Sequence, residues 1–216
     1  DIPELLSVSL GAAETTLIQL TNAYCTFVNG GKKVIPKFID RIQDRRGKTI
    51  FNADKRKCIG CEQISYMKEG IPLIEDNSER IISKETAYQI TSMMEGVVQR
   101  GTGRNLRDLK LILAGKTGTT NKNMDAWFIG FTSKLVIGVY VGFDEPKTLG
   151  KYETGAKAAL PIFKKFVKKV VKKKDAYPFK VPKSINLVIV DPETGLQANK
   201  KTKNTIYESF KPGDIF

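Results

Sequence analysis

A lysine, a glycine and three threonines stand together near the middle of the chain, as Lys116-Thr117-Gly118-Thr119-Thr120. An ammonium beside hydroxyls can hold a carboxylate through charge-assisted hydrogen bonds. Gly118 removes a side chain, so a ligand backbone can come close to a strand at that point. Side chains alternate along a strand, which puts Lys116 and Gly118 on one face and Thr117 and Thr119 on the other. The set suits an extended, carboxylate-bearing ligand lying alongside as an added strand. The tripeptide K-T-G is short, and a strand end running into a polar turn has a similar composition.

Composition removes several other chemistries. The 216 residues contain no histidine, which excludes Ser-His-Asp and Cys-His catalysis within the chain and any imidazole zinc site. There are three cysteines, Cys25 and the pair Cys58-Ile59-Gly60-Cys61. A structural zinc needs four ligands, so no metal is expected. The surrounding residues lack the βαβ context of a thioredoxin-like motif. The pair reads as part of a surface loop, either reduced or locally bridged. No cofactor is expected. Lys+Arg 36 against Asp+Glu 23 gives a net charge of +13. The longest apolar run, residues 135–143, is about half of the ~20 residues that span a bilayer, so no transmembrane segment is expected. The chain opens on Asp1 without a signal-like segment and reads as a piece of something longer.

The elements that must position the lysine and threonines follow from periodicity. Apolar residues at spacings of three and four predict a helix over 12–29, ended by Asn29-Gly30-Gly31. Two short β-like runs, 34–39 and 49–51, flank the turn-like Asp44-Arg45-Arg46-Gly47 and predict a hairpin. Residues 52–80 read as an irregular, charged excursion. Ser83 is a candidate N-cap for a helix along Ala87, Ile90, Met93, Met94, Val97 and Val98, which Gly101-Thr102-Gly103 closes. Three strands are expected at 109–119, 126–132 and 135–143, the last two joined by Ser133-Lys134 as an antiparallel hairpin. Their apolar residues point both ways, which requires cover on both faces and implies a helix–sheet–helix sandwich. Trp127 is expected in the core. Residues 156–174 predict a basic amphipathic helix with a single stripe of Ile162, Phe163, Phe166, Val167, Val170 and Val171. A further strand is expected at 185–190, followed by a polar tail.

Several stretches resemble one family. Residues 114–155 read A-G-K-T-G-T-T-N-K-N-M-D-A-W-F-I-G-F-T-S-K-L-V-I-G-V-Y-V-G-F-D-E-P-K-T-L-G-K-Y-E-T-G. Upstream lie E-T-T-L-I-Q-L-T-N-A-Y-C-T-F-V-N-G-G at 14–31 and G-V-V-Q-R-G-T-G-R-N-L at 96–106. In this order they resemble the transpeptidase domain of class A penicillin-binding proteins, from about residue 9 to about 166, with a faint return at D-P-E-T-G-L, 191–196. The resemblance implies an α+β fold, part of a serine β-lactamase-like domain, with an antiparallel sheet covered by helices and the N-terminal part of the domain missing. It implies peptidoglycan cross-linking, in which a serine attacks the D-Ala–D-Ala end of a stem peptide and β-lactams trap that serine. Such sites combine S-x-x-K, S-x-N and K-T-G. Carried over, Lys116 would hold the polar network and attract the carboxylate. Thr117 and Thr119 would bind it beside Gly118, and the Thr119 backbone N–H would supply half of the oxyanion hole.

The chain departs from that pattern. Ser65-Tyr66-Met67-Lys68 fits S-x-x-K, but Gly70 and Pro72 follow at once, and proline cannot continue a helix. Ser184-Ile185-Asn186 fits S-x-N but lies after K-T-G, in the wrong order. The nucleophile is therefore expected on the N-terminal part of the same domain, in cis or in trans, and this chain alone is expected to be inactive. Residues 1–176 are read as the C-terminal part of the transpeptidase domain and 177–216 as a small β extension. Partners implied are the stem peptide, β-lactams and the other part of the domain, at the periplasmic face of a bacterial inner membrane. A β-lactamase-like hydrolase shares only the K-T-G strand. The alternative is an inert basic module that binds an anionic membrane or wall polymer through the Lys-rich helix, 162–174. No aromatic residues interleave those lysines, so nucleic acid is not an expected partner.

Overall fold

The computed structural model describes residues 4–11, 13–59, 73–172, 174 and 176–214. Three helices and a three-stranded antiparallel sheet form its centre. The helices are α1 (Leu17–Val28), α2 (Lys84–Gln99) and α3 (Leu160–Val170). The sheet runs in the order β5 (Ala114–Thr119), β6 (Ala126–Phe131), β7 (Val136–Val141). Three two-stranded pairs surround it: β1 (Arg41–Gln43) with β2 (Thr49–Asn52), β3 (Cys58–Ile59) with β4 (Leu73–Ile74), and β8 (Asn186–Val190) with β9 (Ile206–Phe210). None of the helices among the described residues is long and apolar enough to cross a membrane.

α1 and α2 start where a side chain can satisfy the first amides. The Thr16 hydroxyl accepts from the Gln19 N–H, and the Gln19 side chain accepts from the Thr16 N–H, a reciprocal cap. The helix therefore starts at Leu17, five residues later than the expected 12. Ser83 caps α2 as expected, accepting from the Thr86 N–H at 3.1 Å. α3 is entered through a wide π-type turn, Gly155–Ala159, with Pro161 in its first turn. It ends at Val170 rather than 174, because nothing after Val171 offers an apolar anchor at helical spacing, and packing sustains a short helix.

The sheet is covered on both faces, as its two-sided apolarity required. Register places Ala126 and Phe128 on one face with Ile137, Val139 and Val141. These pack against Leu160, Phe163 and Val167 of α3, the Phe128 and Phe163 rings lying 4.8 Å apart. The other face carries Ala114, Phe131 and Val136, which meet Tyr24, Phe27 and Val28 of α1 and Met94 of α2. The hairpin turn is set by Thr132, whose hydroxyl accepts from the N–H groups of Lys134 and Leu135.

Several expected boundaries move. The strand expected at 109–119 begins only at Ala114, because Arg104–Leu109 forms a 3₁₀ turn closed by Lys110 in the left-handed region. No strand forms at 34–39, where Pro36 lacks a ladder N–H; the hairpin instead pairs residues 41–43 with 49–52. The 52–80 excursion contains the short β3–β4 pair, and Cys58 is in a disulfide. Ser65, Lys68 and Cys61 lie outside the described residues. Within the polar tail, Ile206–Phe210 forms a hairpin with β8. That hairpin is locked to α2. Gln89 donates to the Ser209 carbonyl at 2.9 Å, Arg100 pairs with Glu208 at 2.7 Å, and Lys211 donates to the Thr86 hydroxyl at 2.7 Å.

The single apolar stripe expected on α3 is divided. Leu160, Phe163 and Val167 are buried, whereas Ile162, Phe166 and Val170 are about half exposed. A helix turns about 100° per residue, so these two rows cannot both face one sheet.

Candidate functional site

Lys116, Thr117, Gly118 and Thr119 occupy the last four positions of β5, and β5 is a terminal strand of the sheet. Lys116 and Thr119 are exposed, and Thr117 and Gly118 are half buried. Facing follows the strand alternation. Lys116 and Gly118 lie opposite Ile129 and Trp127, on the α1 side, while Thr117 and Thr119 lie opposite Phe128 and Ala126, on the α3 side. The strand thus presents its ammonium and hydroxyls on either side of one open edge.

The backbone at that edge is determined by the turn that follows. The Thr120 N–H donates to the Asp125 carbonyl at 3.2 Å, which makes this pair the last hydrogen-bonded rung. Rungs alternate in an antiparallel pair, so the N–H and C=O of Thr119 and Thr117 point away from β6, toward the open edge. The Lys116 ammonium agrees with this placement: it folds back and donates to the Thr117 carbonyl at 2.7 Å. Among the described residues it has no carboxylate partner.

Each threonine is held from outside the strand. The Thr117 and Thr102 hydroxyls are 3.0 Å apart, linking β5 to the turn after α2. The Thr119 hydroxyl accepts from the Gly155 N–H at 3.0 Å and keeps its own proton to donate. Gly155 sits so close to the sheet that a Cβ there would lie 2.3 Å from the Trp127 carbonyl oxygen and 2.5 Å from that of Gly118. Gly118 is more open. A Cβ on it would meet only the Trp127 side chain within 4 Å, at 3.1 Å and beyond, so its outer face has room for a ligand.

The turn at 120–125 is braced by a carboxylate. Asp125 donates its N–H to the Thr120 hydroxyl at 2.8 Å and accepts the Tyr140 hydroxyl at 2.8 Å. That hydrogen bond pushes the Tyr140 phenol above its ordinary pKa, with partial burial and the Asp125 charge adding. Asn123 ties the turn to the 149–150 segment through the Leu149 N–H, 2.8 Å from its carbonyl. Trp127, expected in the core, is only half buried; its ring stacks on Tyr140 at 4.6 Å, beside Gly118.

Thr102, Asp125, Tyr140 and Gly155 support this strand end, and composition and periodicity did not single them out. The signals available were the place of Thr102 in Gly101-Thr102-Gly103 and of Asp125 in the turn just after the strand; Tyr140 and Gly155 are distant in sequence from K-T-G. Ser184 is elsewhere: its hydroxyl donates to Glu85 on α2, and this bond is the main cause holding the Glu85 carboxyl below its ordinary pKa. The two principal cavities among the described residues do not include Lys116–Thr119. On α3, Lys164 donates to the Asn105 carbonyl at 2.6 Å and pairs with Asp108 at 2.7 Å, while Lys165, Lys168 and Lys169, with Lys172 just past its end, stand in solvent.

A family model described as the penicillin binding protein transpeptidase domain matches residues 4–168. Penicillin-binding protein 1A of Rickettsia conorii is 44% identical over 98% of the chain, and that of Pseudomonas aeruginosa 36% identical over 99%. The chain spans 27% and 30% of the length of these two relatives. Among solved structures, penicillin-binding protein 1A from Haemophilus influenzae superposes with a TM-score of 0.81 at 33% identity, covering 98% of this chain and 34% of that one. Together with the α+β architecture and the ordered motifs, the match shows that this chain belongs to the penicillin-binding protein transpeptidase family and covers part of its domain.

Proposed function

We propose that the chain forms the carboxylate-gripping and oxyanion side of a peptidoglycan D,D-transpeptidase site, and that the attacking serine lies on the preceding part of the same domain. In this reading a stem peptide ending in D-Ala–D-Ala lies along the open edge of β5. Lys116 attracts its terminal carboxylate, Thr117 and Thr119 donate hydroxyls to it, and Gly118 leaves space for the peptide backbone. The Thr119 N–H supports the oxyanion that forms when the serine adds to the scissile carbonyl. One such donor typically contributes about 3 kcal/mol to the transition state. An amine of a neighbouring strand then takes the acyl group, and a β-lactam occupies the same edge. The observation that carries the reading is the outward-pointing Thr119 amide beside an ammonium with no carboxylate partner among the described residues.

The other part of the domain has a seat. β7 is the second terminal strand of the sheet. The half-exposed row Ile162, Phe166 and Val170 lies on the flank of α3 away from Lys164, which reaches the 104–109 turn. One partner supplying a strand to β7 and an apolar element to that flank would cover both. We take 1–176 as the transpeptidase part and 177–216 as an extension locked onto α2, working without a cofactor at the periplasmic face of the inner membrane. The solvent-facing Lys165, Lys168, Lys169 and Lys172 support a second reading, adhesion to an anionic membrane or wall polymer. The buried row of α3 makes it a core helix, which favours the first reading. Fluorescent penicillin tests it: the chain alone should take no covalent label, and the chain with the preceding part of the domain should be labelled. Label on the isolated chain, or none on the reconstituted domain, would contradict the assignment.

A further inference from the structure

The end of α1, the start of α2 and residues 178–182 enclose a cavity of about 390 Å³. That volume is in the range of small-molecule sites. Its apolar wall includes Phe27, Tyr88 and Phe179, and among the described residues its charged lining is Arg80, Lys84 and Lys180, with no carboxylate. It lies at the opposite end of β5 from the threonines, since Phe179 packs with Phe131 and Ala114, the first residue of that strand.

Two of these three cations have no ion pair among the described residues, and the third has only a long one. Arg80 donates to the Gly30 carbonyl at 2.5 Å, which positions the guanidinium without cancelling its charge. Among the described residues no ion pair forms on Arg80 or Lys180. Among the described residues Lys84 pairs only with a Glu85 oxygen at 3.8 Å, which already accepts the Ser184 hydroxyl. Lys84 is also the first residue of α2, where the helix dipole is positive. A hollow with an aromatic wall and three cations on its lining selects a compact apolar body joined to a multiply charged anion. A phosphate monoester fits, because its second proton leaves near pH 6, so it approaches a double charge at neutral pH.

We propose that this cavity is a binding site for a small phosphate monoester with an aromatic or short aliphatic body, separate from the β5 edge. The test is calorimetric titration of the full chain with 1-naphthyl phosphate, with inorganic phosphate and 1-naphthalenemethanol as the anionic and neutral halves of that probe. The expected result is one saturable site, at least about tenfold tighter for the ester than for either half. Changing Lys84→Gln together with Lys180→Gln should weaken it at least about tenfold, since two charge-assisted contacts are lost. Changing Lys168→Gln with Lys169→Gln on α3 should leave it unaltered. Because Arg80 also braces the Gly30 turn, Arg80→Ala is a weaker test than the lysine pair. Equal affinity for the neutral alcohol, an unaffected Lys84/Lys180 variant, or equal losses in both lysine pairs would overturn the proposal.

Discussion

Lys116 and Thr119 do different work on one strand end, and their variants should separate accordingly. Lys116 is exposed at the edge and spends one of its donors on the Thr117 carbonyl, leaving charge for a ligand. A hydrogen bond to a charged group is worth about 1.5–3 kcal/mol, so Lys116→Ala should slow penicillin labelling of the reconstituted domain roughly ten- to hundredfold. Thr119→Val keeps the backbone N–H and removes only the hydroxyl. It should cost about 1 kcal/mol, roughly a fivefold slowing. Labelling rates that are the same in all three proteins would remove both residues from the site. These positions were legible because K-T-G is contiguous and strand alternation is local. Thr102 and Tyr140 were not, since each reaches the strand end from another segment, and Asp125, in the turn just after it, shows its bracing role only through its bonds to Thr120 and Tyr140.

At the scale of elements, the K-T-G strand depends on the entry to α3. Gly155 brings its N–H to the Thr119 hydroxyl only because it has no side chain to strike the Trp127 and Gly118 carbonyls. Gly155→Ala should destabilise the chain by about 1–3 kcal/mol, read as a lower urea midpoint, as overpacked sites do. An unchanged midpoint would mean that the 150–155 segment can move aside without loss. The helices were legible from apolar spacing and caps, and the hairpin from its two-residue turn. The strand start at 109 was misplaced because Leu109, Leu111 and Leu113 read as β-like. Tertiary contact takes Leu109 and Leu113 into the core from a 3₁₀ turn and an irregular link. The α3 stripe was misjudged for a related reason: apolar spacing identifies a helix, but not how many surfaces it faces.

For the whole molecule, the join between α2 and the C-terminal hairpin is an ionic and polar lock with a definite pH response. The Ser184 hydroxyl depresses the Glu85 pKa in the folded chain. An acid with a lowered folded-state pKa contributes stability that is present above its unfolded pKa and lost as pH falls through the folded one. Urea midpoints of the parent chain and Ser184→Ala should therefore differ at about pH 6 and converge toward about pH 3, below the ordinary Glu range. A constant difference would show that the hydroxyl acts by packing alone. Glu95 runs the other way. Burial raises its pKa, so its ionisation costs stability as pH rises. The same scale holds the two edges of the β5–β6–β7 sheet that are unpaired among the described residues: we propose one for the peptide substrate and the other for the rest of the domain, and labelling that requires both parts tests that division.

The amino-acid sequence by itself determined the kinds of elements, the two-sided apolarity of the sheet, the order of the motifs and the absence of imidazole chemistry. All of these rest on residue type and short-range spacing, which a linear chain records directly. Tertiary structure alone decided that β5 ends the sheet among the described residues, that the Thr119 amide faces outward, and that Gly155 rather than a neighbour of K-T-G holds the threonine. It also closed a cationic cavity from residues about 150 positions apart, Phe27 and Phe179 among them. Such features depend on which distant segments pack together, and hydrophobic burial, which drives that packing, carries no directional record in local sequence.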